Sequence, residues 1–555
     1  MRKGLKRSLM ALLCVPFALS MAACSNEDVF GGGGGGGETS SIKPVDETKA
    51  QLYVWNYDGG FGHDWLDAAV ERYEEANKDK VWIEGTKGVQ VFVDNQKQGA
   101  AALEARLSTM RNQVFFAENV NYMNWVYQGY VLDITDMVEA PISQYGETKS
   151  IADKLTDHQK NYYNMNGKYY ALPHYEGING LNYDRDLFDQ RSLFFHENGQ
   201  ITEKENSQFL SAGVDGKKGT YDDGLPATYE QFYQLCAKLV EYGCVPMNWS
   251  GLYQFYFNSL LNSLVTDFLG DDALICYTYN GTTDKLIESI TDDGKITYMP
   301  ETKITEENGY LIYRHEGFYR ALKFAETIIN NNYYDPTSFN GTVAHTDAQD
   351  NFLLSRFDDA KDIAMLVEGS WWIQEADATF KMMEKTYLAA GRHDRKIGFM
   401  PFPKATAERA AEQNNKTYLR DDNYTLRFIN ANCDPAYIPL AKDFLQFCCT
   451  DESLVEYSKV TGGTMGYQYQ VSEEDFEGLE YYAQSLITHR QNSTVIYPYS
   501  NTDFFYKNKS SIATFFQADG YNVASLEFKN NGRDAEEFFR ATTRYLTEEE
   551  WKNMQ

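Results

Sequence analysis

Residues 51–66, QLYVWNYDGGFGHDWL, indicate the fold class. The first five residues are a short apolar run that predicts a strand, and the polar, glycine-containing turn after them would end it. A helix is predicted next, because Leu66, Val70 and Tyr73 share one face and charged residues occupy the other. A strand that leads through a turn into an amphipathic helix is typical of an α/β domain.

A second unit of the same kind follows. Leu103, Leu107 and Met110 form another apolar stripe at helical spacing, residues 114–116 are a short apolar strand, and residues 123–129 predict a short helix. Strands that alternate with helices in this way favour an open, largely parallel sheet. Further amphipathic helices are predicted at residues 228–242, 318–329 and 440–447.

The composition limits the classes of function. The chain has 555 residues, is 43% hydrophobic and 15% aromatic, and carries a formal net charge of −29. This length and apolar content suit two or more folded domains, so a disordered chain is excluded. Such an acidic protein lacks the basic surface that phosphate binding needs, and we predict no nucleic-acid partner. Its charge equally argues against attraction of the folded body to an anionic membrane.

The N-terminus predicts export and a lipid anchor. Four basic residues precede an apolar run at residues 10–23, which is too short to span a membrane comfortably. The run ends in Met-Ala-Ala before Cys24 and resembles the bacterial lipobox, although Met21 stands where that motif usually has leucine. We predict a signal peptide at residues 1–23, lipid attachment to Cys24 and a lipidated glycine-rich tether at residues 24–49. An ordinary signal peptide with a chance cysteine is the alternative.

The sequence lacks the common motifs for catalysis and metal binding. It contains no H-E-x-x-H, G-x-S-x-G or Walker G-x-x-x-x-G-K-[ST] pattern. The loop at residues 215–224 fails the D-x-[DN]-x-[DN]-G calcium pattern, and a tight surface loop explains it better. We therefore predict no catalytic residues, no cofactor and no metal, although paired carboxylates in a cleft stay open at this point. The disulfide state of the cysteines after Cys24 is also open.

Eight segments resemble family 1 of the extracellular solute-binding proteins, the sugar-binding subunits of ABC importers. The first is the strand–turn–helix stretch at residues 55–66, and the others follow in the family's order. They are VFFAEN (114–119), GYVLDIT (129–135), GKYYALP (167–173), LNYDRDLF (181–188), AMLVEGSW (364–371), IGFMPFP (397–403) and the helix at 437–452. Each segment alone matches the family only weakly, but the shared order of all eight makes the resemblance specific.

The resemblance implies an α/β protein with the two-lobe, type II fold of periplasmic binding proteins. Each lobe would hold an open, mostly parallel sheet flanked by helices, and the lobes would be hinged around a central cleft. The N-terminal lobe would comprise residues 50–173 plus 405–465, and the C-terminal lobe residues 178–400 plus 466–555. The chain would cross between the lobes near residues 173–177, 400–404 and 463–468.

The same resemblance implies a function. The protein would be the carbohydrate-binding subunit of an ABC importer, with an oligosaccharide as the expected ligand. It would deliver that ligand to the transmembrane permease subunits without chemistry of its own, and so would not be an enzyme. The lipid on Cys24 would hold it outside the cytoplasmic membrane. Two alternatives stay open: a SusD-like surface glycan-binding lipoprotein, which would be nearly all helical, and a polysaccharide-degrading lipoprotein.

A sugar presents apolar C–H faces and polar rims, so its site needs flat aromatic rings together with carboxylates or amides. In the implied fold, the turns that follow the strands face the cleft and carry such groups. Ligand binding is predicted for Asn56, Tyr57, Asp58, Glu118, Asn119, Asn121, Tyr175, Glu176, Asn179, Trp249, Tyr253, Trp371, Trp372 and Tyr499. Structural roles are the alternatives: core packing for the tryptophans, a solvated turn or a helix cap for Asp58 and Glu118, and a hinge contact for Glu176.

Overall fold

The computed structural model describes most of the chain. The described residues are 43–97, 100–118, 120, 122–201, 209–291, 294–358, 360–422, 424–499, 521–545 and 547–554. The predicted signal peptide, Cys24, most of the tether and the candidate site residues Asn119 and Asn121 lie outside them. Among the described helices, none combines the length and the apolar character needed to cross a membrane.

Strands and helices alternate along most of the chain, which confirms the predicted α/β class. The strands are β1 (Ala50–Tyr57), β2 (Val89–Gln96), β3 (Val114–Glu118), β4 (Asn164–Met165), β5 (Lys168–Tyr169), β6 (Asn179–Asp184), β7 (Gly281–Thr283), β8 (Ile287–Ile290), β9 (Ile296–Tyr298), β10 (Thr302–Ile304), β11 (Met365–Gly369), β12 (Ile397–Met400), β13 (Thr417–Arg420), β14 (Thr425–Ile429) and β15 (Ser493–Ile496). The helices are α1 (Asp64–Ala76), α2 (Ala100–Arg106), α3 (Tyr122–Tyr127), α4 (Thr135–Glu139), α5 (Asp157–Tyr163), α6 (Arg185–Arg191), α7 (Tyr229–Glu241), α8 (Phe255–Leu269), α9 (Ala273–Thr278), α10 (Glu316–Asn330), α11 (His345–Leu354), α12 (Trp372–Glu375), α13 (Asp377–Thr386), α14 (Ala407–Glu412), α15 (Ile438–Phe447), α16 (Asp451–Thr461), α17 (Glu473–Glu477), α18 (Tyr481–Gln491), α19 (Ala524–Asn531), α20 (Ala535–Tyr545) and α21 (Glu548–Met554).

The first sheet is the one that the opening stretch of sequence predicts. Its strand order is β14-β3-β1-β2, with β1 parallel to β2 and β3, and β14 antiparallel to β3. Residues 51–55 lie inside β1, and Leu66, Val70 and Tyr73 form the buried face of α1. These predictions are confirmed, as is the strand at residues 114–116, which lies inside β3.

The second sheet differs from the predicted parallel arrangement. Its order is β11-β6-β12, and β6 runs antiparallel to both neighbours. The reason is that β6 begins where the chain enters the second lobe, whereas β11 and β12 run back towards the hinge. Strand β14 is antiparallel in the first sheet for the same reason, since it begins where the chain returns. Among the described residues of the second lobe, parallel pairing occurs between β13 and β15 and at isolated bridges, in which Val245 and Asn248 join Ile363 and Leu366.

Two hydrophobic clusters form the cores of the two lobes. The first takes its residues from the segments 50–175, 424–469 and 497–499. The second takes its residues from the segments 178–419 and 482–551. Tyr256 and Trp371 are exceptions, because they belong to the second-lobe chain but pack in the first cluster. The lobes therefore contact each other at these two side chains.

Neighbouring backbone segments join the lobes at the hinge. Asp422 N donates a hydrogen bond to Gly177 O at 2.8 Å. Asp421 N donates to Ile496 O at 3.0 Å. The chain therefore passes between the lobes along strands of backbone that lie side by side, which is the arrangement expected of a hinge that bends as a unit.

We propose that the second crossover lies later in the chain than the expected residues 400–404. Lys404 Nζ is buried and lies 2.7 Å from Asp267 Oδ1 on α8, which holds this segment on the second lobe. The chain next reaches the first cluster at Tyr424. The predicted lobe boundaries stay predictions, but this packing leads us to propose that residues 405–419 belong to the second lobe.

The helix predicted at residues 228–242 is α7. The Thr228 side chain accepts a hydrogen bond from Gln231 N, and Gly243 ends the helix with a φ of 77°. The two signals act as the sequence predicts, because a threonine N-cap satisfies a free amide and glycine adopts positive φ without strain. Several cysteines are buried free thiols, namely Cys236, Cys244, Cys433, Cys448 and Cys449.

Candidate functional site

The turn after β1 meets the second lobe at Trp371. The Trp371 ring is 8% exposed and packs in the first cluster. A Cβ atom on Gly60 would lie 2.7 Å from Trp371 Cδ1, and one on Gly59 would lie 2.6 Å from Tyr57 Cε1 and 2.8 Å from Glu118 Oε1. These distances are too short for any side chain, so the two glycines allow the aromatic rings and the carboxylate to converge.

We call the group around this turn the interlobe site. Its members from the first lobe are Tyr57, Gly59, Gly60, Glu118 and Tyr175. Its members from the second lobe are Tyr256, His345, Gln349, Glu368, Trp371 and Glu375. The two lobes meet within this group where Gly60 lies against the Trp371 ring. Within the second lobe, the Tyr256 ring stacks on the His345 ring with centroids 6.0 Å apart.

Three carboxylates meet in the interlobe site. Gln349 Nε2 donates to Glu375 Oε2 at 2.8 Å, and the Gln349 side chain also hydrogen-bonds to Glu368. Glu375 Oε1 lies 3.8 Å from His345 Nε2. Burial, with a smaller contribution from the charge of Glu375, raises the pKa of Glu118 to about 7, although a hydrogen bond from Tyr175 acts in the opposite direction. Burial also raises the pKa of Glu368 well above its ordinary value, again with a contribution from Glu375.

Several polar atoms of this site are buried without a hydrogen-bond partner in the described part of the chain. They include Glu118 Oε1, Trp371 Nε1 and His345 Nδ1. An unpaired buried polar atom costs about 1–3 kcal/mol, so folded proteins keep few of them. Their concentration beside aromatic rings at the lobe interface is typical of a site that a polar ligand with apolar faces completes.

The raised pKa of Glu118 predicts how stability depends on pH. The folded chain binds the Glu118 proton more tightly than the unfolded chain, whose carboxyl titrates near about 4.3. This contribution is therefore complete below about pH 4 and is lost as the pH rises towards about 7. Glu118→Gln mimics the protonated group, so we expect it to be more stable than the wild type at pH 8, by about 1–3 kcal/mol, and equally stable at pH 4.

Urea unfolding of both proteins across this pH range tests that expectation. Only the difference between the two proteins matters, because every other titration is common to them. Glu84→Gln, at an exposed carboxylate in the loop after α1, is the matched control and should show no such divergence. Parallel profiles for Glu118→Gln and the wild type would contradict a raised Glu118 pKa.

Four of the predicted ligand residues come together in the interlobe site: Tyr57, Glu118, Tyr175 and Trp371. Asp58 lies beside it, with Oδ1 3.1 Å from His63 Nδ1 and Oδ2 3.7 Å from Lys97 Nζ. Asn56 is fully buried at the end of β1, and its Nδ2 donates to Asn95 Oδ1 at 2.9 Å. Both residues border the site rather than forming its centre.

Two of the predicted tryptophans lie in the second core. Trp249 is fully buried and stacks on Phe257 with ring centroids 4.5 Å apart. Trp372 is fully buried and meets the Tyr482 ring edge-on at 5.8 Å. Packing in the second core accounts for both side chains. Trp372 follows Trp371 directly in the chain, but its ring lies in the second core, whereas the Trp371 ring packs in the first cluster. We therefore leave Trp249 and Trp372 out of the proposed site.

Glu176 lies at the hinge. Its Oε2 accepts a hydrogen bond from Arg490 Nε at 2.6 Å and another from Thr464 Oγ1 at 2.8 Å. The carboxylate therefore ties the first crossover to α18 and to the segment after α16, which matches the hinge alternative for this residue. Asn179 is also buried there, and its carbonyl accepts from Ser263 Oγ at 2.9 Å.

Two predicted tyrosines lie at different margins of the lobe interface. The Tyr253 ring is 5.8 Å from the His345 ring, which puts Tyr253 at the edge of the interlobe site. Tyr499 packs in the first cluster, and its hydroxyl donates to Asp422 O at 2.7 Å. Tyr499 is therefore tied to the hinge backbone, while Tyr253 can extend the interlobe site towards solvent.

The sequence analysis missed several members of the interlobe site: Tyr256, His345, Gln349, Glu368 and Glu375. A signal existed for two of them. Glu368 precedes the Gly369 turn inside the quoted AMLVEGSW segment, and Glu375 lies one helical turn after Trp371. Gln349 and His345 carry no such signal, because only the packing of α11 against β11 brings them to the site.

One group among the described residues has the spacing of a metal site. His63, Asp64 and Asp67 lie together at the start of α1, where they are partly or fully exposed. Exposed acidic residues at a helix start are common without a metal.

In the loop at residues 215–224, Asp222 Oδ2 accepts a hydrogen bond from Asp215 N at 2.9 Å. The Asp222 carboxylate therefore holds the loop backbone, as the interpretation of this segment as a tight surface loop predicts.

The chain is similar in sequence and in fold to known solute-binding proteins. A family model for bacterial extracellular solute-binding proteins matches residues 68–467. RafE in complex with raffinose superimposes with a TM-score of 0.53 at 14% identity, covering 91% of this chain and 100% of that chain. The apo form of RafE from Streptococcus pneumoniae gives 0.53 and 14%, covering 92% and 100%. A chitin oligosaccharide binding protein gives 0.51 and 14%, covering 91% and 99%.

These structural likenesses, at such low identity, show the fold alone. They confirm the predicted two-lobe fold of solute-binding proteins. No curated protein matches the chain in sequence. The family model covers well over half of the chain and confirms the resemblance that the eight segments indicated. The protein belongs to the family of bacterial extracellular solute-binding proteins.

Proposed function

We propose that this protein binds an oligosaccharide between its lobes and delivers it to the permease of an ABC importer. The observation that carries the proposal is the convergence of aromatic faces and unpaired buried polar atoms on the Gly59–Gly60 turn. Fold relatives that carry raffinose or are described as binding chitin oligosaccharide support a sugar as the ligand class.

The chemistry of the interlobe site suits a sugar. The indole of Trp371 offers a flat apolar face to the C–H groups of a pyranose ring, and its Nε1 can donate to a hydroxyl. Glu118 Oε1 can accept from another hydroxyl, which would satisfy an atom that has no partner among the described residues. Tyr253 at the margin can extend the aromatic surface to a second sugar unit, which favours an oligosaccharide.

Closure of the lobes is the second part of the proposal. Trp371 and Tyr256 reach across from the second lobe into the first cluster, so their contacts depend on how the lobes are apposed. A ligand that touches both lobes favours the closed arrangement by its differential affinity for that state. We propose that the permease recognises this closed arrangement.

We also propose that the protein is exported and anchored through a lipid on Cys24. Its family is extracellular, and residues 1–23 have the pattern of a lipoprotein signal peptide. The glycine-rich tether at residues 24–49 would leave the folded body free to rotate near the membrane. Metabolic labelling with a radioactive fatty acid, lost in Cys24→Ser, tests this part.

The two alternatives from the sequence are less well supported. A SusD-like protein would be nearly all helical, whereas this chain has a four-stranded sheet with parallel strands. A polysaccharide-degrading lipoprotein would need two carboxyl groups placed on either side of a glycosidic bond. Oligosaccharides incubated with the protein are therefore expected to stay intact, and hydrolysis that Glu118→Gln abolishes would contradict a binding-only role.

Thermal-shift screening of the purified protein tests the proposed function. The panel holds mono- and oligosaccharides, including raffinose, chito-oligosaccharides and xylo-oligosaccharides, with oligopeptides for comparison. A ligand at 100 times its Kd adds about 2.7 kcal/mol of stability, so a true ligand should raise Tm by about one degree or more. Stabilisation by peptides but by no sugar would contradict the proposal.

A further inference from the structure

The interlobe site holds more carboxyl groups than a neutral sugar requires. Glu118 and Glu368 are only 8% and 1% exposed. Within the described ranges, no lysine or arginine forms an ion pair with either of them. Two nearby guanidinium groups are already engaged, with Arg490 bound to Glu176 and Arg392 bound to Glu480. Neither Glu118 nor Glu368 is therefore paired with a basic side chain in the described part of the chain.

A second observation shows where the missing partner would lie. Glu118 Oε1 is buried and unpartnered among the described residues, and it points at the Gly59 position, 2.8 Å from where a Cβ would be. Glu375 Oε1 lies 3.0 Å from the Cβ position of Gly60. The two carboxylates thus flank the same two-glycine turn, and the Trp371 ring lies against its second glycine.

Building on the proposed function, we propose that the interlobe site selects a sugar that carries a protonated primary amine over its neutral analogue. Glu118 binds the ammonium group beside the Gly59–Gly60 turn, and Glu375 contributes negative charge behind it. The ligand class is an amino sugar with a free amine, as a monomer unit or within an oligosaccharide.

The free-energy cost of burying a carboxylate favours an amine at this position. A carboxylate away from water is costly unless a positive group pairs with it, and an ammonium supplies three donors. A charge-assisted hydrogen bond is about twice as strong as a neutral one. The face of the Trp371 indole also attracts a cation, because the aromatic ring is negative above its plane. A hydroxyl at the same position offers one donor and no charge.

Proton release is a distinct consequence. Burial raises the pKa of Glu118 to about 7, so part of this group is protonated near neutral pH. An ammonium next to it favours the ionised form, and binding should then expel a proton into the buffer. The groups that face Glu118 are Glu375 and the Tyr175 hydroxyl, and neither offers a positive charge that would produce the same release.

Titration calorimetry with three matched trisaccharides tests the proposal. The β-1,4-linked trimers of glucosamine, N-acetylglucosamine and glucose differ only in the group at C2, which is an ammonium, an acetamide or a hydroxyl at pH 6. We expect the glucosamine trimer to bind at least about tenfold more tightly than the other two. Its binding enthalpy should also vary with the ionisation enthalpy of the buffer, which reports the released proton.

Variants assign the preference to the named carboxylate. Glu118→Gln should reduce the ratio of affinities to about one while the glucose trimer still binds. Asp67→Asn, an exposed carboxylate outside the site, should leave the ratio unchanged. Equal affinity for all three trimers, or the same preference in Glu118→Gln as in the wild type, would overturn the proposal.

The remaining outcomes separate this inference from the proposed function. Binding of a neutral sugar from the screening panel without binding of the glucosamine trimer overturns the amine preference and keeps the carbohydrate function. Binding of spermidine but of no sugar keeps recognition of an amine and overturns the carbohydrate function. No binding by any sugar or by spermidine overturns both.

Discussion

Replacing Trp371 by alanine is expected to weaken binding of the oligosaccharide by about 30- to 1,000-fold. The ring is 8% exposed, packs across the lobe interface and lies against the Gly60 turn. Its removal takes away the stacking face for the sugar and a contact that forms between the lobes. Aromatic side chains at the centre of such interfaces carry a large share of the binding free energy. Titration calorimetry with the strongest sugar from the screening panel measures the loss.

Two controls accompany this variant. Trp371→Phe keeps an aromatic face without the indole Nε1 and should have an intermediate affinity. Tyr127→Ala removes a tyrosine that is 64% exposed, and it should bind as the wild type does. A folded Trp371→Ala protein with wild-type affinity would show that the ligand does not stack on this ring.

Replacing Glu176 by alanine is expected to lower the free energy of unfolding by about 3–5 kcal/mol. The Glu176 side chain is 1% exposed, and its partner Arg490 is 11% exposed. Removing the carboxylate leaves a guanidinium buried without its counter-charge, which costs far more than the ion pair itself contributes. Because this contact ties the first crossover to α18, the loss falls on the hinge. Urea unfolding followed by circular dichroism measures it.

A surface ion pair provides the matched control. Glu548 and Lys552 form an exposed pair on α21, and Glu548→Ala should change stability by less than about 0.5 kcal/mol. The double variant Glu176→Ala/Arg490→Met should regain part of the loss, since no buried charge is then left unpaired. A Glu176→Ala protein as stable as the wild type would mean that water replaces the carboxylate at the hinge.

The local elements could be predicted from the sequence because their signals are local. The apolar run at residues 51–55 and the stripe of Leu66, Val70 and Tyr73 need no tertiary information. The same holds for the Thr228 cap and the Gly243 stop of α7. Strand direction is different, since β6 and β14 are antiparallel only because of where the chain crosses the hinge.

The candidate site could be predicted only in part, because burial depends on partners distant in the chain. Glu118 and Trp371 lie at strand ends and were predicted as ligand residues. Trp249 has the same chemistry as Trp371, but Phe257 packs on its face and takes it into the core. Gln349 reaches the site only because α11 packs beside β11, which no motif in the sequence indicates.

A crystal structure of the protein with its strongest oligosaccharide tests the central claim most directly. We expect a sugar ring stacked on the Trp371 indole, with a hydroxyl or amino group within hydrogen-bond distance of Glu118 and contacts to both lobes. A sugar bound on the outer surface of one lobe, with no contact to Trp371 or Glu118, would contradict it.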